Sequence, residues 1–496
     1  MTRPNILLIS TDQQRWDALG ASGNPHITTP HLDRLAAQGA RFTNCYVQSS
    51  VCAPSRASLM TSRYLHNHGV WANGVDINPD EQLFTRALTD AGYDCGLVGK
   101  FHLGAAQHHR VEPRVDDGFR VFRWSHDPYV RSEANHYHTW LEKTFPGVLD
   151  DAMARGGAAA IDTLPTEQHY SRWIGEETIE YLTTGREKDK PFCFVVNFFD
   201  PHHGFGSPPE YRGRYDAQAL PGPIHSDLST KPAIYSEASK KSYAGASRGF
   251  AEHTDSEIQD IIAHYYAMVT LVDDEVGRIL DTLEAEGLAE DTIVIFTSDH
   301  GEMLGDHQML LKGPMMFDCS VRVPLLVRWP SRIQPETVRD ELVEWIDLAP
   351  TLLAAAGVDA MPRQQGRDLA PLWRTEDAGE AYRDSNEGSG SAADTSAWED
   401  RNWVLSEYRN SCWPYDPPVH TTMLRQGDWK IVVHHGPPST ARAREGELYD
   451  LANDPHEQVN LWNAPEADGT RLELERMLLD VLVATEDRSQ RRLSEF

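Results

Sequence analysis

Residues 292–302 read TIVIFTSDHGE, and this stretch decides the fold. Its first six residues are β-branched, apolar or aromatic, which is typical of a strand buried on both faces of a sheet. A segment with apolar residues at helical spacing precedes it, over 256–286. A long helix that leads into a fully buried strand predicts an α/β protein with a largely parallel sheet.

The same alternation extends outward along the chain. Strands are predicted at 6–10, 95–98, 192–199 and 323–328, and helices at 29–38, 83–91 and 167–182. The prediction is a large α/β domain whose mostly parallel, mixed sheet is flanked by helices.

A chain of 496 residues is too long for one ordinary core, and its composition changes after Trp373. Residues 376–400 are polar and Gly/Ser-rich, so we expect a flexible insertion or linker there. Short strands at 403–408, 423–424 and 430–433 and a helix at 465–485 follow. We therefore expect a large domain over 1–375 and a smaller C-terminal α+β domain over 401–496, with a short antiparallel sheet.

The negative net charge of the chain argues against anionic macromolecules and membrane surfaces as partners. Lys+Arg 46 against Asp+Glu 75 gives a net charge of −29, which argues against nucleic acid and an anionic membrane surface. The six cysteines are scattered without a CxxC pair, as expected of free thiols in a reducing compartment. We expect a cytoplasmic protein, since neither a signal peptide nor an apolar run of roughly 18–20 residues is found.

Side chains suited to a metal follow two of the strands. Asp12 and Gln13 come directly after the first strand, and Asp299 and His300 come after 292–297. Each pair alone would be read as a helix cap or a loop. Two such pairs at strand ends of one sheet favour a metal site.

Three further runs carry candidate catalytic groups. Lys100 and His102 lie in Gly99-Lys100-Phe101-His102-Leu103-Gly104, where i, i+2 spacing points both side chains the same way. Asp200-Pro201-His202-His203 follows another strand, and one of its two imidazoles is a candidate. Lys312, in Leu311-Lys312-Gly313-Pro314, would by itself be read as a solvated loop charge.

Cys52 lies in Ser50-Val51-Cys52-Ala53-Pro54-Ser55-Arg56, which contains Cys-x-Pro-Ser-Arg. With the runs above, WIDLAPTL at 345–352 and ELYDLANDP at 447–455, the chain resembles the type I, formylglycine-dependent sulfatases of the alkaline phosphatase superfamily over nearly its full length. The resemblance implies a catalytic domain at 1–375 and hydrolysis of a sulfate monoester, a small molecule, to alcohol and sulfate.

The resemblance also implies how the site is completed. A maturase would oxidise Cys52 to formylglycine, whose hydrate is the nucleophile. One divalent cation would be held by Asp12, Gln13, the oxygen derived from Cys52, Asp299 and His300. Calcium is the usual metal of the family; many members have Asp at the position of Gln13, and an imidazole ligand also suits manganese or zinc.

The remaining roles rest on the same resemblance. Arg56 would hold the hydrate, and Lys100 would bridge the nucleophile and the substrate. His102 would hydrogen-bond the second hydroxyl and later take its proton. His202 and Lys312 would grip the sulfate, and one of them would protonate the leaving alcohol. The family's extended signature ends in Thr-Gly-Arg, whereas this chain has Thr61-Ser62-Arg63.

Several alternatives stay open. A phosphonate monoester or phosphodiester hydrolase of the same superfamily is the nearest, although the Gly-Lys-x-His run is typical of the sulfatase branch. An unmatured, non-catalytic binding protein and a cysteine hydrolase that uses Cys52 are more remote. The alcohol is open among aryl, sugar and choline-type groups, and its pocket is expected from 100–109, 124–138 and 407–420. The oligomeric state is open as well.

Overall fold

The computed structural model describes residues 3–106, 110–129, 132–373, 402–436 and 445–487. The predicted linker at 376–400 lies outside the described residues. The strands are β1 (Asn5–Thr11), β2 (Ala40–Tyr46), β3 (Asp94–Gly99), β4 (Val121–Trp124), β5 (Phe192–Asn197), β6 (Lys241–Ser242), β7 (Ser247–Arg248), β8 (Thr292–Ser298), β9 (Arg322–Arg328), β10 (Thr337–Glu344), β11 (Trp403–Arg409), β12 (His420–Gln426), β13 (Trp429–His435) and β14 (Gly446–Asp450).

Helices alternate with these strands in the first 355 residues, and one further helix lies at 468–484. They are α1 (Pro30–Ala37), α2 (Cys52–Thr61), α3 (Leu65–His68), α4 (Phe84–Asp90), α5 (His136–Thr144), α6 (Val148–Gly156), α7 (Ala158–Asp162), α8 (Tyr170–Glu180), α9 (Pro209–Arg212), α10 (Ala233–Lys240), α11 (Asp255–Ala285), α12 (Asp318–Val321), α13 (Leu348–Ala355) and α14 (Asp468–Ala484).

The central sheet has eight strands in the order β10-β2-β9-β8-β1-β5-β3-β4. All neighbours are parallel except β9, which runs antiparallel to both β2 and β8. The predicted mixed, mostly parallel sheet is therefore confirmed. Because the parallel strands β1, β3, β4, β5 and β8 end at the same edge, the residues that follow them converge there.

The central strands are continuous apolar runs because both faces of the sheet are covered. Successive residues point to opposite faces, so Ile6 and Leu8 of β1 join one core and Leu7 and Ile9 join the other. The long helix α11 covers the second core with Val272, among others. These two cores make the sheet a rigid platform for its C-terminal edge.

The C-terminal part forms a second, four-stranded antiparallel sheet in the order β11-β12-β13-β14. The helix α14 packs on it through Leu474, Leu478 and Val481. This confirms the predicted small α+β unit with an antiparallel sheet. In the described part of the chain, no helix is both long and apolar enough to cross a membrane.

Candidate active site

Three strands of the central sheet deliver charged side chains to one buried centre. Asp12 follows β1, Lys100 follows β3 and Asp299 follows β8, and all three are buried. Gly99, with φ +96°, ends β3, and a Cβ atom there would lie 2.0 Å from the carbonyl oxygen of Asn197. Only glycine allows β3 and β5 to approach this closely where the chain turns toward Lys100.

Cys52 is the first residue of α2 and is buried at the same centre. The Lys312 ammonium lies 2.9 Å from its Sγ, and the Nε2 atom of His300 lies 3.3 Å from it. Burial and Asp12 oppose the thiolate, but Lys100, Lys312 and His300 outweigh them and lower the pKa of Cys52 to about 7. The centre thus stabilises negative charge at residue 52.

Arg56, one turn further along α2, ties the two acidic residues together. Its Nε donates to Asp299 Oδ2 at 2.8 Å, and its Nη2 lies 3.4 Å from Asp12 Oδ2. Its Nη1 donates to the carbonyl oxygen of Lys100 at 3.2 Å. The guanidinium therefore anchors Asp12, Asp299 and the start of the Lys100 loop to the helix that carries Cys52.

Lys100 and His102 reach the centre from the loop after β3. The Lys100 ammonium pairs with Asp12 Oδ2 at 2.6 Å. Although burial opposes ionisation, Lys100 and the neighbouring cations hold the pKa of Asp12 well below its usual range. The imidazole of His102 packs edge-on against His126, with ring centroids 4.4 Å apart. Burial, His126 and Lys100 lower the pKa of His102, which keeps this imidazole neutral.

Gln13 is fixed from both ends of its amide. Its Nε2 donates to the carboxylate of Glu302, while its Oε1 accepts hydrogen bonds from Lys312 Nζ at 2.8 Å and from His203 Nδ1 at 3.2 Å. The Gln13 backbone N–H donates to Asp299 Oδ1 at 3.0 Å. The amide oxygen therefore faces the centre, as a cation ligand must.

His202 and His203 both lie at the centre, stacked with centroids 3.9 Å apart. The Nδ1 of His202 donates to the carbonyl oxygen of His203 at 2.6 Å, which leaves Nε2 directed toward Asp12 Oδ1 at 4.0 Å. Burial, His203 and Lys312 lower the pKa of His202. The sequence analysis selected one imidazole of this pair, and the structure brings in His203 as well, through Gln13 and Tyr243.

A cavity of about 850 Å³ opens over Cys52. Five of the predicted residues line or border it: Cys52, Lys100, His102, His202 and Lys312. All three predicted pocket segments contribute to its wall. Ala105 and Ala106 come from the first, His126, Asp127 and Tyr129 from the second, and Cys412 and Trp413 from the third. Asp12, Gln13, Arg56, Asp299 and His300 lie buried beneath. All the predicted site residues are thus brought together.

A model of the sulfatase family matches residues 4–358, which is well over half of the chain. The chain belongs to the sulfatase family. This sulfatase is 28% identical over 494 residues to the "uncharacterized sulfatase YidJ" of Escherichia coli K12, covering 97% of this chain and 88% of that one. It is 29% identical to the "multifunctional alkaline phosphatase superfamily protein PehA" of Trinickia caryophylli, covering 94% and 92%.

Among solved structures, the sulfatase resembles the phosphonate monoester hydrolase of Agrobacterium radiobacter, with a TM-score of 0.80 and 25% identity. The match covers 99% of this chain and 98% of that one. The structural match therefore extends over both the central sheet and the C-terminal unit. With the family match, it identifies the protein as a hydrolase of the sulfatase type.

The buried centre of this sulfatase fits a divalent cation. Ligand atoms of Asp12, Cys52, Asp299 and His300 all lie within 4.8 Å of one another. The Nδ1 of His300 donates to the carbonyl oxygen of Gly301 at 2.8 Å, so its Nε2 is the nitrogen that can bind a metal. Two carboxylates, an amide oxygen and one imidazole form a mixed oxygen–nitrogen set of the kind that binds divalent cations.

Several residues that the structure places at the centre or on its cavity were not singled out from the sequence, among them His126, His203, Tyr243 and Glu302. His203 adjoins the selected His202 and Glu302 lies two residues after the selected His300, so proximity in the sequence was a usable signal. Tyr243 lies in a short segment between β6 and β7, and His126 follows a four-residue strand. Neither has a periodicity that marks it in the sequence.

Proposed function

We propose that the protein hydrolyses sulfate monoesters at the cavity over Cys52, after a maturase has converted Cys52 to formylglycine. The observation that carries the proposal is the position of Cys52 at the first residue of α2. There it lies 2.9 Å from the ammonium of Lys312 and next to the Asp12, Asp299 and His300 cluster. A nucleophile and an anion site in one buried pocket are what attack on an anionic ester requires.

Residue 52 supplies the nucleophile. Its helix position and its cationic neighbours stabilise an oxyanion as they stabilise the thiolate. Asp12, Gln13, Asp299 and His300 would hold a divalent cation, which would add positive charge and favour the deprotonated form of the attacking hydroxyl. Arg56 holds two of those acidic residues in place and is the fixed support of the centre.

Lys100 and Lys312 hold the sulfate. Their ammonium groups flank Asp12 Oδ2 and the Cys52 side chain, so a sulfate oxygen entering between them meets two cations. Burial opposes the charge of Lys312, but Cys52 and Asp12 raise its pKa, which keeps it cationic through neutral pH. These charges offset the repulsion between the anionic ester and the anionic nucleophile.

His202 donates the proton to the leaving alcohol, and His102 removes a proton from residue 52. His202 presents Nε2 to the cavity because its Nδ1 is held by a carbonyl oxygen. The negative charge of a bound ester raises the pKa of the His202 imidazole, so that His202 can carry the proton that it donates. His102 is neutral and is suited to act as a base.

A phosphonate monoester or phosphodiester hydrolase is the second candidate, because the Agrobacterium neighbour is named a phosphonate monoester hydrolase and matches almost the whole chain. Lys100 and His102 both line the cavity, and their Gly-Lys-x-His run is typical of the sulfatase branch. We therefore expect sulfatase activity to exceed phosphonate activity, with some promiscuity because the charged centre suits both anions.

Mass spectrometry of residue 52 tests the nucleophile. Trypsin releases the peptide 42–56, which contains both Cys45 and Cys52. On protein co-expressed with a maturase and then alkylated, we expect a loss of about 18 Da at residue 52, the difference between thiol and aldehyde. Cys45 should still be alkylated, which makes it an internal control.

Turnover of p-nitrophenyl sulfate and of a phenyl phosphonate monoester then ranks the two candidate activities. Full conversion of Cys52 without turnover of p-nitrophenyl sulfate would contradict the sulfatase proposal. Higher kcat/KM for the phosphonate would favour the second candidate. The Cys52→Ala variant controls for contaminating hydrolases.

A further inference from the structure

The wall of the cavity away from Cys52 is acidic and aromatic. Asp127, Tyr129 and Asp162 line it, from the segment after β4 and from the end of α7. The Tyr129 hydroxyl donates to Asp162 Oδ1, and the second oxygen, Oδ2, lies over Gly204, where a Cβ atom would come within 2.7 Å of it. The absence of a side chain at Gly204 leaves room for the Asp162 carboxyl at the cavity surface.

Asp162 has no cationic partner among the residues that the structure describes. Burial raises its pKa to about 7, and the nearby carboxyls of Asp200 and Asp127 act in the same direction. By contrast, the two carboxylates beside Cys52 are paired with cations: Asp12 with Lys100, and Asp299 with Arg56. Within the described part of the chain, Asp162 is therefore a cavity-lining carboxyl that lacks the cation that would stabilise it.

The two ends of the cavity differ in charge. The Cys52 end has three cations, Arg56, Lys100 and Lys312, around two carboxylates. Asp127 and Asp162 also line the cavity, and a chain of contacts through the rings of Phe199 and Tyr129 separates Asp162 from Lys100. A molecule with an anionic group at one end and a cationic group at the other is complementary to this polarity.

Aromatic rings complete the wall. Trp413, about half exposed, stacks on Tyr243 with centroids 5.2 Å apart, and both line the cavity. Tyr129 packs against Phe199 at 5.8 Å, and both line it as well. Aromatic faces beside a carboxyl form a favourable environment for an organic cation.

We propose that the preferred substrates are sulfate esters of amino alcohols, whose protonated amine pairs with Asp162 while the sulfate occupies the Cys52 end. This inference rests on the proposed function for the location of the sulfate. It adds the class of the alcohol: one that carries an ammonium group, whether a small amino alcohol or an amino sugar. The aromatic rings contact the carbon frame between the two charges.

Binding to the Cys52→Ala protein tests the subsite without catalysis. Isothermal titration calorimetry measures the affinity for two pairs of sulfate esters. Within each pair, one ester carries an amine where the other carries a hydroxyl group. The pairs are 2-aminoethyl sulfate with 2-hydroxyethyl sulfate, and D-glucosamine 6-sulfate with D-glucose 6-sulfate. A charge-assisted hydrogen bond predicts about tenfold to a hundredfold tighter binding of the amine in at least one pair. The pair in which the amine ester binds more tightly shows whether the site prefers a small amino alcohol or an amino sugar.

The Asp162→Asn change, which keeps the shape, should reduce that ratio to nearly one, while Asp151→Asn on the exposed face of α6 should leave it intact. Equal affinity within both pairs, no binding of either amine ester, or an unchanged ratio in Asp162→Asn would overturn the proposal. Turnover of p-nitrophenyl sulfate by the matured wild type is scored separately. Its failure would remove the sulfatase proposal, whereas turnover without an amine preference would remove only the subsite.

Discussion

Lys312 is the cation that most directly controls residue 52, so replacing it with methionine tests the electrostatics of the centre. Its Nζ lies 2.9 Å from Cys52 Sγ, 2.8 Å from Gln13 Oε1 and 3.9 Å from Asp12 Oδ1. At the 2.9 Å distance to sulfur, Coulomb's law with an effective dielectric constant of about 20 gives about 6 kcal/mol. Half of that energy would move the pKa of Cys52 from about 7 to above 9.

The assay uses unmatured protein treated with EDTA, in which residue 52 is still cysteine. Thiolate absorbance at 240 nm is followed against pH, and the curve of Cys52→Ala is subtracted to remove the other five cysteines. We expect a midpoint near pH 7 in the wild type, above pH 9 in Lys312→Met, and near pH 7 again in Lys312→Arg, which retains the charge. A midpoint near pH 7 in Lys312→Met would refute the assignment of Lys312 as a cation that stabilises the Cys52 thiolate.

Four further outcomes are expected. Arg56→Ala leaves Asp12 and Asp299 without their shared guanidinium and should lower the free energy of unfolding by about 3–5 kcal/mol in urea titrations, with Arg56→Lys recovering only part of it. Glu302→Gln replaces the carboxylate that accepts from the Gln13 amide with a weaker, uncharged acceptor, and it should weaken metal affinity by about 10- to 100-fold in calorimetric titrations, with little loss of thermal stability. In EDTA, Lys100→Met should destabilise the protein at pH 7. Since the pKa of Asp12 is lowered in the folded state, the difference in the free energy of unfolding between wild type and Lys100→Met should shrink as the pH falls below about 4. A difference that stays constant with pH would contradict the pairing of Lys100 with Asp12. Chelation should abolish turnover of the matured enzyme yet leave its circular dichroism unchanged at room temperature, because Lys100 and Arg56 already pair with the two carboxylates.

The strands that sequence reasoning predicted are the ones buried on both faces. β1, β3, β5, β8 and β9 are continuous apolar runs, and each was located within two residues of its ends. The prediction missed β2, β4 and β10, which lie at or near the edges of the sheet. β10 carries polar residues along its first half, with Thr337-Val338-Arg339-Asp340-Glu341 only partly buried or exposed, so its strand pairing is visible only in three dimensions.

The C-terminal unit shows the same limit. β11 and β13 were predicted, whereas β12 was predicted over only two of its seven residues and β14 was not predicted as a strand. Five of the seven residues of β12 are polar, and its buried Thr421 and Arg425 are stabilised by hydrogen bonds to other parts of the chain. Such partners are distant in the sequence, so local propensity carries no signal of them.

The sequence by itself determined the class of the fold and predicted ten site residues. Buried strands and strand-end motifs are local patterns, while Cys52, Arg56 and Lys312 were predicted from the resemblance to the sulfatases. Only the tertiary structure decided how these residues act on one another. It set Lys312 against Cys52, directed the Gln13 amide through Glu302, and placed Asp162 on the cavity wall. Such contacts join segments up to about three hundred residues apart, and their energies depend on distance and burial, which no local pattern encodes.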